Sequence, residues 1–393
     1  MIQGLPRALH GPLYRLGLPC LLAVFLLLNA SCRAEEPWPL WESYTAKFLD
    51  GQGRVIDHDA EDRTTTEGQA YAMFFALVAG DRPRFDKLVD WTEANLAQGD
   101  LTLHLPAWNW GKASDGNWHV LDANPAADAD LWMAYALCEA GRLWKDERYA
   151  KLGGVIADRV AEEEIVRVPG LGSTLLPGVK GFHPDDKTWF LNPSYMPPQL
   201  LAYFAHRKPQ SAWKSVAASL PVLASSPGGY VMDWLKADGS TVTPSLTPAA
   251  AQEGKKDAPA AGSYDAIRMY LWVGIADPKT PGVQEALARM TGMETYLQSH
   301  LAPPLRVDSS GKVLDADGPA GFSAAVIPYL HALNLKKQEA EQSDRLGATH
   351  DTKSGLYGRS GEYFDQNLAL FEAGWVDKRF RFDTDGRLRV KWR

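Results

Sequence analysis

Along this chain, stretches with apolar side chains on every face of a helical wheel alternate with stretches carrying them on one face only. The clearest of the first kind is residues 126–144, AADADLWMAYALCEAGRLW, where Trp132, Met133, Tyr135, Leu137 and Leu143 surround the helix after Asp128 and Asp130. A helix apolar all round is buried, whereas a single apolar stripe marks a helix at the surface. By this criterion buried helices begin near Glu67, Asp128, Tyr195, Ser263, Phe322 and Tyr363. Amphipathic helices follow most of them, near Asp146, Gln210, Pro281 and Lys336; another spans residues 82–96, with Phe85, Leu88, Val89, Trp91 and Leu96 on one face. Thr66 and Gln69 stand at capping-box spacing, which starts the first buried helix at Thr66 and puts Glu67 in its first turn.

Six inner and about six outer helices result if a short helix around residues 41–50 pairs with the last inner one. The spacing, roughly 40 to 70 residues, is too irregular for a solenoid. The expected fold is therefore all-α, an (α/α)6 barrel made of helical hairpins. Residues 229–243 and 379–392 depart from this pattern, alternating apolar and polar positions around Asp238-Gly239 and Asp385-Gly386, which predicts small β-hairpins. Residues 244–262, rich in Ala, Pro and Thr, read as a long loop before the helix at Ser263. Hairpin topology makes the inner helices parallel, so their polar starts gather on one rim. TTTEGQ, PAADAD, NPSYMPP, GSYDAIR, GPAGFS and SGEYFD meet there, and the rim is the expected cleft.

The first 34 residues change the picture of where the protein works. Arg7 and Arg15 precede an apolar run over residues 16–28, and Ala34 ends a small-residue cleavage site. This is a secretion signal, too short for a stop-transfer helix, so one domain over residues 35–393 is expected in the periplasm or secreted. Removing Arg7, Arg15 and Arg33 takes the formal net charge from −7 to −10. So acidic a chain is a poor partner for nucleic acid, and no membrane association is expected after signal removal. Of three cysteines only Cys138 remains, so stability must come from a large core and not from disulfides.

Several chemistries lack their residues. There is no HExxH, no CxxC and no phosphate-binding glycine loop, and Gly321-Phe322-Ser323 continues with Ala324 where a nucleophile elbow needs glycine. No metal and no cofactor are expected. What the rim offers is carboxylates and aromatics. Glu67, Asp128 and Asp265 each occupy the first turn of an inner helix, where any one of them could serve only as a cap. Three such groups on one rim repel one another, which argues for a use. Trp108 and Trp110 lie in a loop just before the helix at Asp128, with Trp118 close behind; they suit core filling or the apolar face of a sugar ring. Carboxylates with tryptophans and no metal point to a glycosidase.

The runs TTTEGQAYAMFFAL, LPAWNWG, ADADLWMAYALCEAGRLW, VPGLGSTLLPG, NPSYMPP, SYDAIRMYLWVG and GFSAA together resemble glycoside hydrolase family 8, over about residues 38–382. Within that family they are most similar to the periplasmic endoglucanases encoded beside bacterial cellulose synthase. The resemblance implies an (α/α)6 barrel and metal-free, inverting hydrolysis of a β-1,4-glucan (cellulose) chain. It also implies a functional association with cellulose synthase and export machinery. By motif, Glu67 of TTTEGQ corresponds to the family's general acid and Asp265 of SYDAIR to its general base. Asp128 corresponds to the signature aspartate that holds the sugar at the cleavage site. The family has Ser or Thr before that aspartate; here Ala127 stands instead. Because an inverting enzyme seats a water between base and sugar, Asp128 is expected to position the ring and not to attack it. Arg268, one turn beyond Asp265, is expected to hold that carboxylate, and Tyr195 and Tyr264 to line the sugar-binding wall. Two other classes share these features: a non-catalytic glucan-binding subunit, and a polysaccharide lyase, which would need a Tyr or His base.

Overall fold

The computed structural model describes Met1, Gly4 and residues 37–253 and 259–393. The expected signal segment, residues 1–34, falls outside them but for Met1 and Gly4. Fourteen helices occur among the described residues. They are α1 (Pro39–Phe48), α2 (Thr66–Ala79), α3 (Arg82–Leu96), α4 (Ala127–Trp144), α5 (Glu147–Glu163), α6 (Pro198–Arg207) and α7 (Trp213–Leu223), followed by α8 (Pro248–Gln252), α9 (Ala266–Ile275), α10 (Val283–Leu287), α11 (Thr291–Tyr296), α12 (Ala320–Ala332), α13 (Lys336–Gly347) and α14 (Tyr363–Val376).

The ring is closed by neighbour contacts: α2 packs on α4, α4 on α6, α6 on α9, α9 on α12, α12 on α14 and α14 back on α2. Each inner helix also carries an outer partner, α3, α5, α7, α10, α13 and, for α14, α1. The (α/α)6 barrel thus stands, with α1 closing it against α14. α4 shows why the pattern was readable. Sixteen of its residues are buried, including every apolar one except the terminal Trp144.

Boundaries differ in places for identifiable reasons. α6 begins at Pro198, not near Tyr195, because Pro197 and Pro198 bias the preceding residues away from helix; Pro193–Tyr195 form a single 3-10 turn instead. α9 starts at Ala266 and α12 at Ala320. The helix expected near Pro281 is split into α10 and α11. The long loop of residues 244–262 is shorter than expected, since it contributes to the strand Val242–Ser245, to α8 and to the strand Ala261–Gly262. Trp110 and Trp118 lie not in an open loop but in a hairpin of Asn109–Lys112 and Trp118–Asp122, whose first strand pairs with Thr64–Thr65.

That pairing also moves the cap of α2. It holds Thr65 extended, so the Thr65 hydroxyl accepts from Gly68 N at 3.3 Å and caps the helix in place of Thr66. Gln69 makes no capping contact. Its amide faces the other way, accepting from Val55 N at 2.6 Å and donating to Gly53 O and Thr92 Oγ1, each at 3.0 Å. The loop leading to the rim is thereby fixed to α2 and α3.

The barrel interior is aromatic. Phe371 of α14 lies 4.7 Å from Phe75, 5.4 Å from Phe74 and 5.0 Å from both Trp132 and Trp272, ring centre to ring centre. The end remote from the rim is plugged by the hairpin Phe380–Phe382 with Leu388–Val390, whose Phe380 and Phe382 rings contact Phe74. Polar bonds fasten this plug: Tyr135 Oη donates to Gly386 O, Leu388 N donates to the buried Glu139 carboxylate, and Trp392 Nε1 donates to Leu77 O. Among the described residues no helix is long and apolar enough to cross a membrane.

Candidate active site

Glu67, Asp128 and Asp265 are delivered by three inner helices to the same rim, and one guanidinium organises two of them. Arg268 is buried on the first turn of α9; its Nη1 donates to Asp128 Oδ2 at 2.7 Å and its Nη2 to Asp265 Oδ1 at 2.7 Å. The same two nitrogens donate to Tyr71 Oη and to Ser194 Oγ, each at 3.2 Å. Ser194 is itself tied, through N and Oγ, to Asn192 Oδ1. The planar fork of arginine suits such a double engagement, which one ammonium could not reproduce.

The three carboxyls are in unlike conditions. Glu67 Oε2 is buried and has no hydrogen-bond partner. Burial raises the Glu67 carboxyl above its ordinary range, outweighing its own backbone N–H, the Arg268 charge and the Thr65 hydroxyl. Asp128 is almost wholly enclosed; burial and then the charges of Glu67 and Asp265 push it up, to about 7, against the pull of Arg268. Its Oδ1 accepts from Ala129 N at 2.9 Å, which satisfies one free N–H of the first turn of α4; the cap position is Ala126, not Ala127, and no side chain caps this helix. Asp265 keeps about a third of its side chain exposed.

Glu67, Asp265, Arg268, Tyr71 and Trp108 line one cavity of about 400 Å³, together with Asp57, Asp59 and Tyr363. Trp108 is thus in the cleft. Trp110 is not: it meets Trp91 edge-on at 5.4 Å and stacks on Trp118 at 5.3 Å under the Arg54 guanidinium. Tyr195 is half-buried, with Arg268 5.5 Å from its ring centre. Tyr264 is exposed and stands in an adjoining depression of about 1030 Å³, which shares Asp59 and Phe364 with the first; its ring meets Phe322 and Phe364 edge-on. Asp130 points away from the cleft, since two residues along a helix turn about 200°. It is buried, and burial with the nearby Glu164 raises its carboxyl well above the usual range.

Tyr71 and Ser194 were not among the expected site residues, and Tyr363 was expected only as the start of an inner helix. Tyr71 carried a signal, because it follows Glu67 by four positions and shares its helix face. Tyr363 is placed by Asp59, whose Oδ2 accepts from Tyr363 N at 2.6 Å. Gly68 permits this approach: a Cβ there would collide with the Tyr363 hydroxyl and crowd Val55. Gly68→Ala is expected to cost about 1–3 kcal/mol by overpacking, and to lower kcat at least several-fold by displacing Tyr363 and the adjacent Glu67. Thermal melting and steady-state kinetics of the purified variant check both.

Known proteins resemble this chain over most of its length. The family model for glycosyl hydrolases family 8 matches residues 15–378. An endoglucanase of Escherichia coli O157:H7 is 41% identical over 374 residues, covering 95% of this chain and 96% of the relative. One from Xanthomonas axonopodis pv. citri is 42% identical over 381 residues, 95% of each. The crystal structure of endo-1,4-D-glucanase from Vibrio fischeri ES114 superimposes with a TM-score of 0.80 at 36% identity, covering 91% of this chain and 99% of that one. With the barrel and the three rim carboxyls already in place, these matches show that the chain belongs to glycosyl hydrolase family 8.

Proposed function

We propose that the enzyme is an endo-β-1,4-glucanase that cleaves cellulose-type chains with inversion at the anomeric carbon. The observation that carries this reading is the contrast between two carboxyls on one cavity. Glu67 is buried with a free oxygen and its carboxyl is raised above the ordinary range by burial, whereas Asp265 is partly exposed and paired with Arg268. Pairs of carboxyls whose environments differ in this way divide into acid and base. Glu67 donates to the glycosidic oxygen while Asp265 takes a proton from a water that attacks the opposite face of the ring. Asp128, locked by Arg268, holds the distorted sugar through its hydroxyls and forms no covalent bond. Trp108 offers an indole face to a sugar within the cleft, and Tyr264 offers one where the cleft continues. The relatives named endoglucanase support the same substrate class.

The test is stereochemical. NMR of cellopentaose hydrolysis within the first turnovers is expected to show the α-anomer at the new reducing end. Early β-anomer would mean retention and return Asp128 to consideration as a nucleophile. A place in bacterial cellulose biosynthesis or export, in the periplasm or outside the cell, is supported by the signal-like residues 1–34 and by the resemblance of the motifs. Fractionation of expressing cells is expected to recover the shortened chain outside the cytoplasm.

A further inference from the structure

Asp265 ends the segment that leads into α9, and it occupies the position from which a side chain ordinarily caps the helix. Its carboxylate makes no such bond. The cap comes from elsewhere: Oδ1 of Asp233 accepts from Ala266 N at 2.8 Å and from Ser263 N at 2.7 Å. One oxygen therefore grips the backbone on both sides of Tyr264-Asp265. The two segments are joined again by Asp233 N, which donates to Ala261 O at 2.8 Å. Gly262 lets them lie this close, because a Cβ there would collide with Val231 O.

We infer that Asp233 is a positioning residue for the base: by holding the backbone on both sides of Asp265, it keeps the Asp265 carboxylate facing Arg268 and the attacking water. An N-cap aspartate normally turns back to the N–H groups of its own first turn. Here the N–H groups of Ile267 and Arg268 donate to Ser263 O and Asp265 O, and that of Ala266 to Asp233, so the strong side-chain partner of Asp265 is Arg268 Nη2. What Asp233 supplies is an acceptor oxygen at a fixed place between Ser263 N and Ala266 N, which an amide oxygen of the same shape can also supply.

The inference rests on Asp265 being the base, and the experiment separates the two. Asp265→Asn, Asp233→Ala, Asp233→Asn and Asp233→Glu are compared on cellopentaose for kcat, KM and melting temperature. Asp265→Asn is expected to lose activity by three orders of magnitude or more; near wild-type turnover there would overturn the base assignment itself. Asp233→Ala is expected to lower kcat about 30-fold with KM within two-fold, because binding contacts elsewhere in the cleft are untouched. Asp233→Asn keeps the acceptor in place and is expected to restore kcat to within about three-fold of wild type. Asp233→Glu moves the acceptor by one methylene and is expected to lose most of kcat with the fold retained, which decides the matter should the alanine variant not fold. With Asp265→Asn inactive, wild-type kcat in folded Asp233→Ala or Asp233→Glu overturns the positioning role. So does an Asp233→Asn variant as slow as the alanine.

Discussion

Glu67→Gln is expected to lower kcat on soluble carboxymethyl-cellulose by about 10³-fold or more, within the upper range for removing a general acid, while KM and the melting temperature stay close to wild type. Glutamine preserves the size of the side chain and its place in the first turn of α2, but it cannot release a proton to the glycosidic oxygen. The loss should shrink sharply on an aryl cellobioside with a good leaving group, since such a bond breaks with little protonation. Activity within a few-fold of wild type on the polymer would remove Glu67 from the mechanism. The wild-type pH profile follows from the same environment. The acid must be protonated, and burial raises its carboxyl, so kcat/KM falls as pH rises through that raised value. Glu67 thus sets the alkaline limb, which should lie above the ordinary glutamate range.

Arg268 is the other position where one substitution reaches most of the site. Arg268→Met leaves Asp128 and Asp265 without their shared cation, and the Asp128 carboxyl then rises further, because burial and the neighbouring carboxylate charges are no longer opposed. Breaking a buried ion pair from one side costs about 3–5 kcal/mol, so urea denaturation should show a large loss of stability together with near-complete loss of turnover. Arg268→Lys separates charge from geometry. A single ammonium cannot reach two carboxylates that the guanidinium meets through separate nitrogens at 2.7 Å each. Lysine is expected to recover most of the stability but to leave kcat at least 100-fold down, the cost of mispositioned groups. A lysine variant within five-fold of wild type would show that charge alone suffices there.

The barrel was legible because its inner helices are buried on all sides, a condition that removes the periodicity of a surface helix and leaves a recognisable uniformity, as in α4. The three carboxyls were legible for a related reason: each begins such a helix, and hairpin topology brings those beginnings together. Pairing between rim residues was harder to read. The Arg268–Asp265 contact spans three positions on one helix and could be expected, but Asp128 lies 140 positions from Arg268, and no local pattern links them. Trp110 shows the opposite error. Its type and neighbourhood suited a sugar platform, yet a hairpin unseen in the sequence turned it onto Trp91 and Trp118. Gln69 matched a capping box in spacing alone; strand pairing at Thr64–Thr65 shifted the cap by one residue and left its amide for the loop.

The plug at the far end of the barrel also governs the order of events during folding. Its fastenings join residues 386, 388 and 392 to residues 135, 139 and 77, separations of 251, 249 and 315 positions. Contacts so distant in sequence form slowly, because loop closure must precede any gain from them. During synthesis the amino-terminal hairpins emerge first, yet until residues 380–393 arrive the rings of Phe74 and Tyr135 stay uncovered at that end. The ring of helices can assemble early, but it locks only when its last-made segment is in place. Chains stalled before that point should be the aggregation-prone species in refolding, and the slowest refolding phase should report the docking of the plug.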